Sequence, residues 1–153
     1  MSKLAGLAAC AGNWRGVNKL WYPENEAPKE SAATAKVTPV LGGKFLRFDY
    51  TWGFEGTEQE GSFLIGCQSK TGALTGQWID SWHMGEAVMS CSGDCPSGET
   101  LVVRGSYAAP PGPDWGWRIE ITPNEGRTLL MRMFNISPGG QDMAAAEASF
   151  ERA

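Results

Sequence analysis

Histidine is almost missing from this chain of 153 residues: His83 is the single copy. One imidazole cannot supply the cluster of nitrogen ligands that catalytic zinc sites draw on. Basic runs are missing as well. The 13 Lys and Arg are scattered among 17 Asp and Glu, giving a formal net charge of −4. Without a basic stripe the sequence offers no nucleic-acid surface. No apolar run reaches the ~18 residues that a membrane-spanning helix needs, so no membrane partner is expected. Nucleophile elbows, phosphate loops and metal-ligand helix motifs are all absent. Nothing in the sequence therefore calls for a cofactor or a metal.

Cysteine is sparse, with Cys10, Cys67, Cys91 and Cys95. Only Cys91 and Cys95 are close. They suit a small disulfide loop, half of a metal site with His83, or two thiols beside a turn in a reducing compartment, and the last is the expectation here. Leu7-Ala8-Ala9-Cys10 has the look of a lipoprotein processing site. The apolar segment before it is shorter than a signal peptide requires. A short Ala-rich helix from Lys3 to Ala11, covering one end of the fold, is expected instead, in a cytoplasmic protein.

What is plentiful is punctuation and aromatic surface. Gly 20 and Pro 9 break the chain about every ten residues, and Trp 7 is high. That rhythm belongs to short strands and turns. Hydrophobic residues at 42% and charged residues at 20% are ordinary for a folded chain, which excludes disorder. The length suits one domain, 1–153, able to bury roughly 70% of its unfolded surface.

Alternation marks the strands. Expected strands run Gly12 to Tyr22, Ala32 to Val40, Phe45 to Trp52, Thr57 to Cys67, Leu74 to His83 and Glu86 to Cys91, then Leu101 to Tyr107, Trp115 to Thr122, Arg127 to Ile136 and Asp142 to Arg152. An acidic loop, Pro23 to Pro28, separates the first two. Met143 to Ala148 has helical propensity, but a sheet edge needs closing, so it is assigned as a strand. Short connections throughout predict an all-β, up-and-down antiparallel barrel of about ten strands.

Arg104, Arg118 and Arg132 are each fourteen residues apart, with turn compositions between them. Centring each turn predicts a row of Glu86, Arg104, Arg118, Arg132 and Glu147 on one face, with Asp80 beside Glu86. The opposite face of these strands is apolar: Val103, Trp117, Ile119, Ile121, Met131 and Met133 among others. Two readings follow. The arginine row is a solvated ladder outside a packed core. Or it lines the hollow together with Trp78, Asp80, Trp82 and Phe134, and binds a small amphipathic anion, since guanidinium groups grip carboxylates. Asp80 or His83 could alternatively act as acid or base in an enzyme, or His83 could ligate haem iron. Exposed Trp residues could instead form a homodimer face.

Four stretches carry a resemblance. They are Leu7-x-x-Cys-Ala-Gly-Asn-Trp14-Arg-Gly16, Val40-Leu-Gly-Gly-Lys-Phe-Leu46, Gly66 through Lys70-Thr71-Gly72, and Trp78-Ile-Asp80-Ser81. In order and spacing the chain resembles the bacterial proteins grouped as domain of unknown function 1579. That resemblance implies a calycin-like, lipocalin-like cup closed by an N-terminal helix, with no agreed activity. It draws interest to Asp80. Where that family often has an aromatic after Gly66 this chain has Cys67, and where it often has Gly-Thr after Asp-Ser it has Trp82 and His83. A more distant similarity, through the opening Trp-x-Gly, is to the haem-binding nitrobindins. No histidine follows His83 to match their haem ligand.

Overall fold

A computed structural model of the protein describes residues 3–23 and 26–153. Residues 24 and 25 of the expected acidic loop, and residues 1 and 2, lie outside the described residues. One short helix, α1 (Ala5–Ala8), precedes ten strands: β1 (Gly12–Leu20), β2 (Lys29–Val40), β3 (Phe45–Phe54), β4 (Thr57–Gln68), β5 (Ala73–Asp80), β6 (Met89–Asp94), β7 (Leu101–Tyr107), β8 (Trp115–Asn124), β9 (Thr128–Ile136) and β10 (Asp142–Arg152). Each strand pairs antiparallel with its sequence neighbours, and β1 closes on β10, so the sheet is a closed barrel without edges. The expected all-β, up-and-down architecture is what the chain adopts.

Hairpin turns enforce this order. Between β3 and β4, Phe54 pairs with Thr57, leaving a two-residue loop of Glu55 and Gly56, both at positive φ. That is the backbone whose twist matches a hairpin. Alternation then sorts the walls. Trp14, Asn18 and Leu20 of β1, Leu46, Phe48, Tyr50 and Trp52 of β3, and Val103, Ile119, Ile121 and Met131 point inward and are buried. Each fully buried large side chain contributes about 1.5–3 kcal/mol, so this interior is the main source of stability.

α1 seals one end, the base. The ordered helix is four residues rather than the nine expected, continued by single turns in which Cys10 N–H donates to the Leu7 carbonyl and Ala11 N–H to that of Ala8. Leu4, Leu7 and Cys10 are buried there. The indole of Trp14 donates to the Cys10 carbonyl at 2.8 Å. Arg152, from the end of β10, donates to the carbonyls of Ala9, Ala11 and Gly126 and lies 4.3 Å over the Trp14 ring. The first and last elements are thus tied at the base.

Four expectations are corrected. The strand from Leu74 ends at Asp80, and the next begins at Met89, so residues 81–88 form a loop rather than a tight turn. Cys95 is bonded to Cys67, 28 residues away, instead of standing beside Cys91 as a free thiol. Cys91 points into the barrel, where burial pushes its thiol up to about 11. The alternation of β10 breaks at a bulge between Ala144 and Ala146, so Ala145 rather than Ala144 is buried. Finally, Arg118 stands opposite Phe134, and Arg132 opposite Glu120. The turn is centred one residue later than expected, which moves the partner by two and keeps the face.

Candidate ligand cavity at the mouth of the barrel

The end opposite α1 is built from the last residues of β1, β3, β5, β7 and β9 and the first of the strands between them. Here the 81–88 loop folds back over the opening. Its geometry starts with a glycine. Tyr50, Gly61 and Asp80 lie abreast on β3, β4 and β5. A Cβ on Gly61 would stand 2.2 Å from the Tyr50 hydroxyl. Its absence lets the phenol cross β4 and donate to Asp80 Oδ2 at 2.6 Å. The same hydroxyl accepts from Trp78 Nε1 at 2.9 Å. Burial, and then the adjacent Asp80 carboxylate, push the Tyr50 pKa well up, so the phenol keeps its proton and acts as a donor.

Asp80 Oδ1 accepts from the main-chain N–H of Trp82 at 2.9 Å and of His83 at 2.8 Å, and the Asp80 carbonyl accepts from Met84 N–H. This is the local side-chain-to-backbone pattern by which an aspartate starts a turn. Both carboxylate oxygens are therefore occupied, Oδ1 with the loop amides and Oδ2 with the Tyr50 hydroxyl. Asp80 touches the His83 main chain and not its ring, so the two do not form an acid–base relay.

The turn drops His83 into a cage of indoles. Its ring centroid is 4.8 Å from Trp82, 5.3 Å from Trp117, 5.7 Å from Trp52 and 5.8 Å from Trp78. Burial lowers the His83 pKa, and Asp80 opposes this only in part, so the imidazole is neutral at pH 7. Trp82 in turn packs edge-on to Tyr22 and Trp52 and against Phe54. Beside the cage lies a cavity of about 340 Å³ lined by Trp78, Trp82, His83, Met84, Met89, Tyr107, Trp117 and Asn135. The Tyr107 hydroxyl donates to the side-chain oxygen of Asn135 on its wall. No hydrogen bond from a described residue holds either ring nitrogen of His83.

The site residues expected from the sequence fall on two sides of the wall. Trp78, Asp80 and Trp82 belong to the mouth. Arg104, Arg118, Arg132 and Phe134 point out of the barrel, so the shared face is corrected. Arg118 is bound by Glu120 at 2.9 Å and Asp142 at 2.8 Å, and lies 4.3 Å over the Phe134 ring. Arg132 pairs with Glu120 at 2.8 Å and faces Glu147 in the register. Arg104 is exposed and pairs across β6 with Ser92 rather than Glu86, which sits in the loop. The parity of Trp78 and Asp80 is that of the apolar interior. Trp52, Trp117, Tyr107, Asn135 and Tyr50 complete the site; period-two alternation puts Tyr50 and Trp52 on one face of β3 and Trp117 on the apolar face of β8, and nothing in the sequence marks Tyr107 or Asn135.

The expected alternative of a metal bound by His83, Cys91 and Cys95 does not survive the Cys67–Cys95 bond. Among the described residues no three His, Cys, Asp or Glu side chains gather as a metal site, and no helix is long and apolar enough to cross a membrane.

A family model described as "Protein of unknown function (DUF1579)" matches residues 2–152. No match was found among curated protein sequences. Among the solved structures that share the barrel are the following two. The crystal structure of Rv2717c from M. tuberculosis superposes with a TM-score of 0.66 at 15% identity, covering 100% of this chain and 98% of that one. The S-type phycobiliprotein lyase CPES from Guillardia theta superposes with a TM-score of 0.62 at 14% identity, covering 100% of this chain and 93% of that one. At these identities the likeness is one of fold.

Proposed function

The chain belongs to the DUF1579 family, and we propose that this member binds a small, planar, largely apolar ligand in the mouth of its barrel without chemical conversion. The observation that carries the reading is the neutral His83 imidazole. It is held in a cage of four tryptophans beside a cavity of about 340 Å³, with no hydrogen-bond partner for its ring nitrogens among the described residues. Cavities at the lower end of the usual 300–1,000 Å³ range suit a ligand of one or two rings. Indole faces supply the contact area, and the imidazole and the Asn135 amide supply orientation. The anionic ligand expected from the arginine row has no cation to meet among the residues lining this cavity. The polar part of the ligand is therefore a neutral hydrogen-bonding group. A fold shared with a phycobiliprotein lyase is compatible with this reading and adds nothing finer to it.

Tryptophan emission reports on the site directly, because Trp52, Trp78, Trp82 and Trp117 all surround it. Titration with indole, 2-naphthol and coumarin is expected to quench or shift the emission saturably, and Trp82→Ala is expected to weaken that response roughly tenfold, the loss of one aromatic contact. A flat response across such a panel overturns the proposal. Self-association is a second reading, favoured by Tyr22 and Val88, which are 50% and 59% exposed on the rim. A monomer at high concentration in size-exclusion chromatography ends it.

A further inference from the structure

The geometry points to a second site, at the base of the barrel, that takes a single-chain anionic amphiphile. A cleft there runs between the segment leading into α1, the β2–β3 turn and the β4–β5 turn. Three lysines, Lys3, Lys44 and Lys70, stand around it, and no acidic side chain lines it. Among the described residues none of the three makes an ion pair. In a chain with a net charge of −4, three of the 13 cations are thus gathered without counter-charge at one opening.

The floor is apolar. Leu4 is buried at one side. The half-buried Phe45 ring lies across Gly66, where an added Cβ would stand 2.6 Å from it. Cys67 closes the floor through its bond to Cys95. Leu41, on the turn that carries Lys44, is 69% exposed. Cations above an apolar floor match a carboxylate, sulfate or phosphate head joined to an alkyl chain. Lysine side chains are point charges that accept any of these heads, so the head group is fixed by charge rather than by fork geometry. A bare anion would find charge and no floor. A neutral chain would find floor and no charge. The site is at the opposite end from the indole cage and does not depend on it.

The test is calorimetric titration at pH 8 and low salt with dodecanoate below its micelle concentration, dodecan-1-ol and acetate. Dodecanoate is expected to bind, dodecan-1-ol to bind roughly tenfold more weakly and acetate not at all. The triple variant Lys3→Gln/Lys44→Gln/Lys70→Gln changes only exposed side chains and is expected to bring dodecanoate down to the level of the alcohol. Raising salt to 0.5 M is expected to do the same in the wild type, because exposed charges are then screened. Equal affinity for acid and alcohol, or an unchanged triple variant, overturns the proposal. So does loss of dodecanoate binding in Trp82→Ala, which would move the chain to the mouth. Adsorption to phosphatidylglycerol vesicles without any binding of dodecanoate also overturns it, since the lysines would then be reading a membrane surface.

Discussion

Tyr50 and Asp80 meet inside the barrel wall, two strands apart, because the residue between them is a glycine. The contact joins the core to the loop that shapes the mouth, since the same carboxylate holds the Trp82 and His83 amides. Tyr50→Phe keeps the ring and removes the hydroxyl. It strips one hydrogen bond from a buried carboxylate and one acceptor from Trp78 Nε1. Hydrogen bonds to charged groups are worth about 1.5–3 kcal/mol, so unfolding free energy is expected to fall by that amount and the melting temperature by ~3–10 °C. Thermal denaturation checks it, and a change within error refutes the coupling.

Gly61→Ala attacks the same contact from the other side. The new methyl would sit 2.2 Å from Tyr50 Cζ and Oη, so the phenol has to leave Asp80. Overpacking adds about 1–3 kcal/mol to the lost hydrogen bond, making this the more damaging change. In the double variant Tyr50→Phe/Gly61→Ala the two losses are expected to be less than additive, because they share one interaction. Full additivity in denaturant unfolding would show that the glycine is kept for another reason.

Alternation alone made most of the fold legible. The inward set of β1 and β3 and the Arg104–Arg118 and Arg132–Glu147 pairs follow from period-two patterning and turn centres. What alternation could not give was which side was closed. Arg118 and Trp117 alternate equally well in either orientation, and only the barrel's closure sends the indole inward and the guanidinium to Glu120 and Asp142. The mouth was harder to read for a different reason. Trp78, Asp80 and Trp82 continue a strand pattern, yet Asp80 accepts from the Trp82 and His83 amides and ends the strand. Aspartate as a turn former competes there with alternation, and the local hydrogen bonds prevail. The Cys67–Cys95 bond was illegible because its partners are neighbours through β4, β5 and β6 rather than through sequence.

His83 sets a pH dependence. Its pKa in the folded protein lies below the ordinary ~6.5 because burial disfavours the cation. The unfolded chain then binds more protons than the folded one as pH falls through ~6.5, so stability is present in full above that value and is lost progressively below it. His83→Gln is expected to flatten the stability curve between pH 7 and 5. A proton NMR titration of the single histidine gives the folded pKa. A value above 6.5 would reverse the sign.

The arginine row makes a negative prediction. Arg118 and Arg132 point away from the cavity and pair with Glu120, with most of the Arg118 and Glu120 side chains covered. Arg104→Ala, Arg118→Ala and Arg132→Ala are therefore expected to leave the emission response to 2-naphthol unchanged, with the largest loss of stability in Arg118→Ala, which strips Glu120 and Asp142 of a covered partner. A tenfold loss of affinity in any of them would bring the anion-binding barrel back into consideration and contradict the outward geometry.

The Cys67–Cys95 bond spans 28 residues and ties the end of β4 to the segment after β6. Closing a loop of that length restricts the unfolded chain by about 3–4 kcal/mol in the chain-entropy treatment. Dithiothreitol, or Cys67→Ala/Cys95→Ala, is expected to lower stability by that order, and reduction is expected to have no further effect on the double variant. Cys10 and Cys91 are buried, so native protein is expected to resist alkylation until reduced, when two thiols become labelled. The same labelling done on freshly lysed cells bears on where the protein works. Two labelled thiols place it in a reducing compartment, as expected for a cytoplasmic protein, whereas protection until reductant is added places it in an oxidising one. Two labelled thiols in the purified, air-oxidised protein before any reductant would show that the bond does not form.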